Sequence, residues 1–247
     1  MLGTRHIITI ILSAVVIAFV SYRLRNTPRE KIKKLLKILC IIVLTLDPIY
    51  WIWEIANFGV MDVSTTLPLY MCSLFEILLP FVAFSKKEGV LWRSSVSSIC
   101  SVIMIFGFCG FVFNTHLNNY PFYTFIPLRS LLFHFLMVLV PCIMWSSGYY
   151  KRESRDIWLG FIPVLALVAV AAVVDKTYGF DYCYLNGGKG TPFEIISRAS
   201  PVYFPVIIYA GLFVLNALIF YAKLTYTSIK NFFLRRFCRH EHTNAGL

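Results

Sequence analysis

The sequence predicts an all-α polytopic membrane protein: a single transmembrane helical domain over residues 1–247 with seven spans, N-terminus outside and C-terminus cytoplasmic. Three observations carry that prediction. The chain is 58% hydrophobic and 17% aromatic, with a mean hydropathy of +0.72, more apolar surface than one water-soluble core of this size can hide. Its apolar runs are long enough to cross about 30 Å of hydrocarbon, which takes roughly 17–25 helical residues. Finally, only 14% of residues are charged, yet the net charge is +11. The basic residues fall between the apolar runs and not on one soluble face, which excludes a nucleic-acid footprint and points to anionic lipid headgroups at the cytoplasmic face.

The runs lie near 5–23, 36–58, 64–84, 92–113, 124–147, 156–176 and 201–223. Strands of these lengths are excluded, since only helices satisfy their own backbone in lipid without closing a barrel. The first run reads as a retained span and not a signal peptide, because Arg23 and Arg25 follow it, a single Arg5 precedes it, and no small-x-small site is present. Of 23 Lys and Arg residues, seven lie in 23–37, three in 86–93, three in 151–155 and five from 223 onward. Every second connection therefore carries the excess, as the positive-inside rule requires of a cytoplasmic set.

The segment Arg23 to Lys37 reads as a basic, partly helical linker that holds orientation. Connections 59–63, 114–123 and 177–200 are then external. In the last of these Gly179, Gly187, Gly188, Gly190 and Pro192 demand tight turns, while Tyr178, Phe180, Tyr182 and Tyr184 suit an interfacial aromatic belt. Seven cysteines are scattered without a CxxC pair or a His partner at ligand spacing, so neither a disulfide framework nor a metal site is expected, and no cofactor is implied. Nothing in the chain fixes an oligomeric state.

Ionisable groups at bilayer depth cost a few kcal/mol each, so each is a functional hypothesis. Five stand out: Asp47 and Glu54 in the second span, Glu76 in the third, Arg129 and His134 in the fifth. At about 1.5 Å per residue, Asp47, Cys72 and His134 lie roughly 12–17 Å below the external surface. Glu54 and Arg129 share a shallower level and could form a charge pair, the alternative being that Arg129 holds a phosphate or an oxyanion. Asp47 and Glu54, seven apart, share one helical face, as do Cys72 and Glu76, four apart. Pro48 and Pro68 remove backbone donors nearby and can open a helix locally. This set permits nucleophilic chemistry, with Cys72 attacking an ester, His134 taking its proton and Asp47 fixing the imidazole. The plainer alternative makes Cys72 an apolar filler and His134 a structural hydrogen-bonder.

The run Leu67-Pro68-Leu69-Tyr70-Met71-Cys72-Ser73-Leu74 resembles the LPLxxCS signature of the YwaF-like integral membrane proteins, bacterial proteins related to transmembrane protein 164. Further features follow in the family's order. Asp47 is followed five and six residues later by Ile52-Trp53, and His134 lies in an aromatic run. Asp181-Tyr182-Cys183-Tyr184-Leu185 is similar to an NYMFL box, with Asp in place of Asn, and Pro201 to Pro205 opens the last span. The resemblance covers about residues 40–210.

It implies an enzyme of the bacterial plasma membrane that moves a fatty acyl chain between glycerophospholipids, or hydrolyses the ester, with Cys72 as nucleophile and His134 as base. In that reading a membrane phospholipid is the partner, Asp47 orients His134, and Arg129, Glu76 and Glu54 line the substrate. The competing expectation is a non-catalytic protein whose buried acids bind or transport a cation or small molecule.

Overall fold

The computed structural model describes residues 3–221, which are helical or connecting throughout. In chain order the helices are α1 (Thr4–Leu24), α2 (Arg29–Phe58), α3 (Val63–Thr66), α4 (Leu74–Phe84) and α5 (Val90–Ser98). One π-helical turn, Ile99–Ile103, joins α5 to α6 (Met104–Val112); α7 (His116–Asn119), α8 (Phe125–Ser146) and α9 (Asp156–Tyr178) follow. A 3-10 turn at Tyr182–Tyr184 and α10 (Glu194–Ala199) lead to α11 (Phe204–Tyr221). Six helical units are long and apolar enough to cross a membrane: α1, α2, α5 with α6, α8, α9 and α11. The five basic residues from 223 onward lie outside the described residues.

The expected third span is not one helix. After α2 closes on Gly59, whose φ of 73° suits a residue without a side chain, Asp62 caps α3 by accepting the Ser64 amide at 2.9 Å. Residues 67–73 are then irregular, and α4 has only 11 residues, about 16 Å of rise. Pro68 explains the break. It cannot donate, and the chain turns tightly around it, the Leu69 amide bonding to the Leu67 carbonyl at 2.8 Å. By contrast, α2 runs unbroken through Pro48, so only one of the two prolines opens its span. The basic linker also shrinks, because α2 starts at Arg29 and takes up most of it.

Side-chain contacts sort the connections into two ends. At the basic end Arg29 donates to the Tyr149 carbonyl at 2.6 Å and pairs with Glu88, while Lys33 reaches the Ser85 carbonyl at 2.8 Å. Arg93 there grips the wholly buried Asp156 at 2.6 and 2.8 Å. At the other end the Tyr182 hydroxyl donates to the Val63 carbonyl at 2.8 Å, and Arg5 lies over the Tyr123 ring. The chain therefore passes from one end to the other between Val63 and Ser85, through the irregular stretch and α4.

The α5–α6 unit forms the centre, 67% of its span window buried against none of α1's. Close approach at the centre rests on small residues, as membrane helices need without a hydrophobic drive between them. A methyl on Gly160 would sit 2.7 Å from the Ser97 hydroxyl, and one on Gly107 would meet the Met137 Cβ. The peripheral α1 is tied on by His6, whose Nε2 bonds the Phe111 carbonyl at 2.8 Å.

Candidate functional site

Cys72 sits in the irregular stretch, one residue before the Ser73 N-cap of α4. That places a thiol beside the positive, N-terminal end of the α4 dipole, although the Ser73, Phe75 and Glu76 amides are already bonded to the Tyr70, Cys72 and Ser73 carbonyls. Non-helical backbone at membrane depth survives only where protein buries it. Here the Asp181–Leu185 box does so. The Cys183 thiol donates to the Leu69 carbonyl at 3.0 Å, the Tyr70 and Tyr182 rings meet edge to face at 5.0 Å, and the Tyr209 hydroxyl holds the Cys183 carbonyl at 2.7 Å. Cys183 and Tyr184 adopt φ of 54° and 60°, a left-handed conformation that costs about 1–3 kcal/mol for side chains of this kind. The expected aromatic belt is corrected accordingly: Tyr178 is exposed, but Tyr182 is fully buried over the broken segment.

One helical turn after Cys72, the Glu76 carboxyl is buried and lies within hydrogen-bonding reach of the Asp47 carboxyl on α2. Arg129 from α8 completes the cluster. Its guanidinium pairs with Asp47, donates from Nε to the Leu46 carbonyl at 3.2 Å and stacks over the Tyr50 ring at 4.6 Å. The structure thus brings Cys72, Glu76, Asp47 and Arg129 together.

Two expected pairings are corrected. Arg129 takes Asp47 and not Glu54, whose carboxylate accepts the Tyr50 hydroxyl at 3.1 Å and the Asp62 amide at 3.3 Å. Asp47 does not orient His134, because the arginine has claimed it. The imidazole is held from its own helix instead, with Nδ1 2.8 Å from the Ser130 carbonyl. A carbonyl only accepts, so Nδ1 carries the proton and the neutral ring keeps its Nε2 lone pair.

The face of that ring lies against Gly110 of α6, where any Cβ would fall inside it. No hydrogen bond joins Cys72 to His134 among the described residues. The positive charge of Arg129 nonetheless acts on both the thiol and the imidazole.

Three contributors escaped the sequence reading. Ser130 lies four residues before His134 on the same helix, a spacing that the sequence does display. Asn114, buried, donates to the Ser130 hydroxyl at 3.2 Å and accepts the His116 amide at 3.2 Å. Through this chain the connection 114–123 braces the turn that carries the imidazole. His116 also lies near His134 and Arg129, and partial burial together with that arginine disfavours its protonation.

No group of three or more His, Cys, Asp or Glu side chains is arranged to hold a metal among the described residues. No curated protein and no solved structure matches the chain. A family model does, over residues 1–225. The residues that carry the resemblance in sequence, the LPLYMCS run and the DYCYL box, are in direct contact in the fold. The chain belongs to the TMEM164 family.

Proposed function

We propose that this membrane protein is a lipid acyltransferase or ester hydrolase with Cys72 as its nucleophile. The observation that carries the reading is the placement of the thiol, at the N-terminal end of a short helix in a broken segment, among Glu76, Asp47 and Arg129 inside an apolar bundle. A glycerophospholipid enters between helices, the thiol adds to its acyl carbonyl, and His134 Nε2 accepts the thiol proton. Loss of the lysolipid oxygen leaves a thioester on Cys72, which an acceptor hydroxyl or water then discharges. Arg129 offsets the charge of Asp47 and retains Nη1 for an oxyanion or a phosphate oxygen.

In this reading the six long helices and the α4 segment make seven crossings of a bacterial plasma membrane. The basic end is cytoplasmic, where its Lys and Arg residues contact anionic headgroups, and the site lies in the outer half of the bilayer. Binding of a cation by the acids is disfavoured by Arg129, which already neutralises Asp47. Turnover of labelled phospholipid by purified protein tests the assignment. Cys72→Ala abolishes it and His134→Ala lowers it at least about a hundredfold; turnover unchanged in Cys72→Ala ends the proposal.

A further inference from the structure

Acyl transfer from an oxygen ester needs a base for the thiol and also an acid for the departing oxygen, because an alkoxide leaves poorly into an apolar site. His134 accounts for the first. It is fixed on α8 by Ser130 and pressed against α6, whereas the thiol belongs to the segment that opens α4. On that segment's own helix, one turn on, stands Glu76.

The charged groups acting on Glu76 are Asp47 from α2 and Arg129 from α8, with the Cys72 thiol beside it. Arg129 is committed to Asp47 by a direct ion pair. That leaves two adjoining carboxyls facing one guanidinium, surrounded by apolar helices. Two carboxylates side by side in such a site repel strongly, and a single cation balances only one of them. A proton shared between the carboxyls restores neutrality and makes the contact between Glu76 and Asp47 a hydrogen bond, not a repulsion. Asp47 holds the ion pair, so the proton resides on Glu76.

We infer that Glu76 is the general acid of the reaction, carrying a proton that it delivers to the leaving lysolipid oxygen; this rests on the reading of Cys72 as nucleophile. In the first half-reaction the S–C bond forms and the C–O bond breaks. The thiol proton goes to His134 and the Glu76 proton to the departing oxygen, leaving an imidazolium and a carboxylate whose charges cancel. In the second half the acceptor hydroxyl gives its proton to Glu76 and its oxygen to the acyl carbon, while the thiolate leaves and recovers its proton from His134. Each half is the reverse of the other with a different alcohol, and the site returns to its starting state.

The test compares leaving groups. A p-nitrophenyl fatty ester expels a weakly basic phenolate that needs no acid, whereas a phospholipid expels an alkoxide. Glu76→Gln slows single-turnover acylation by phospholipid at least about a hundredfold and leaves the p-nitrophenolate burst, which reports acylation alone, within a small factor of wild type. Equal loss on both substrates, or none on either, overturns the acid role. Cys72→Ala losing neither would instead sink the underlying nucleophile assignment.

Infrared spectroscopy of the membrane-embedded protein reads the proton without catalysis. The carbonyl stretch of a protonated carboxylic acid is expected in wild type and in Cys72→Ala and is lost in Glu76→Gln. Its absence from wild type contradicts the inference even where a variant does not fold.

Discussion

At the scale of single residues the site depends on side chains that leave their neighbours no freedom. Gly110 is the sharpest case, since the His134 ring occupies the space of any Cβ there. Gly110→Ala must push the ring off Nδ1–Ser130 geometry or part α6 from α8. The expected outcome is a loss of activity of about tenfold or more, with the protein still extractable and helical by circular dichroism; full activity would show that the imidazole is not needed where it stands.

Of the residues singled out from sequence, Cys72, Glu76, Asp47 and Arg129 do meet. Their pairing was not legible, because depth along a helix gives one coordinate and the rotation about each axis supplies the other. Glu54 and Arg129 match in depth, yet Glu54 turns toward Tyr50 and Asp62 while Arg129 turns toward Asp47.

At the scale of elements, the third span shows what a hydropathy run cannot convey. Residues 64–84 are apolar enough for a helix, but Pro68 and the packing of the DYCYL box divide them into a loop and a short helix. The order of the two motifs in sequence gave no sign that they touch. Nor did any residue pattern announce the π-helical turn at Ile99–Ile103. The prediction here concerns the basic end. Asp156 has no exposed side-chain surface and accepts from Arg93, the Tyr150 hydroxyl and the Glu153 amide, the last two at 2.8 Å each. Asp156→Ala removes the buried acceptor of Arg93, Tyr150 and the Glu153 amide and leaves the guanidinium only the half-exposed Glu153 at 2.9 Å, a loss of buried polar partners that costs about 1–3 kcal/mol for each group left unsatisfied. Thermal unfolding in detergent should show a clearly lowered Tm; a Tm within a degree of wild type would mean that the Asp156 carboxylate does not help to hold α9 against α5.

At the scale of the molecule, the bundle was the most legible part, because lipid imposes helices and charge imposes alternation. The contacts of Arg29, Lys33 and Arg93 gather three basic connections at one end, as their spacing in sequence anticipated. Single cysteines introduced at Lys87 and Lys189 in whole cells, in a background without reactive native thiols, test the crossings. A membrane-impermeant maleimide should label the second and spare the first. Labelling of both or neither at the outer face would refute the orientation.

The account as a whole stands on one covalent event. The most direct measurement is the intact mass of the protein after brief exposure to phospholipid, followed by peptide mapping. One fatty acyl increment on the peptide bearing Cys72, released by neutral hydroxylamine and missing from Cys72→Ala, is the predicted result. An acyl group on another residue, or steady turnover with no adduct even when the acceptor is withheld, would contradict it.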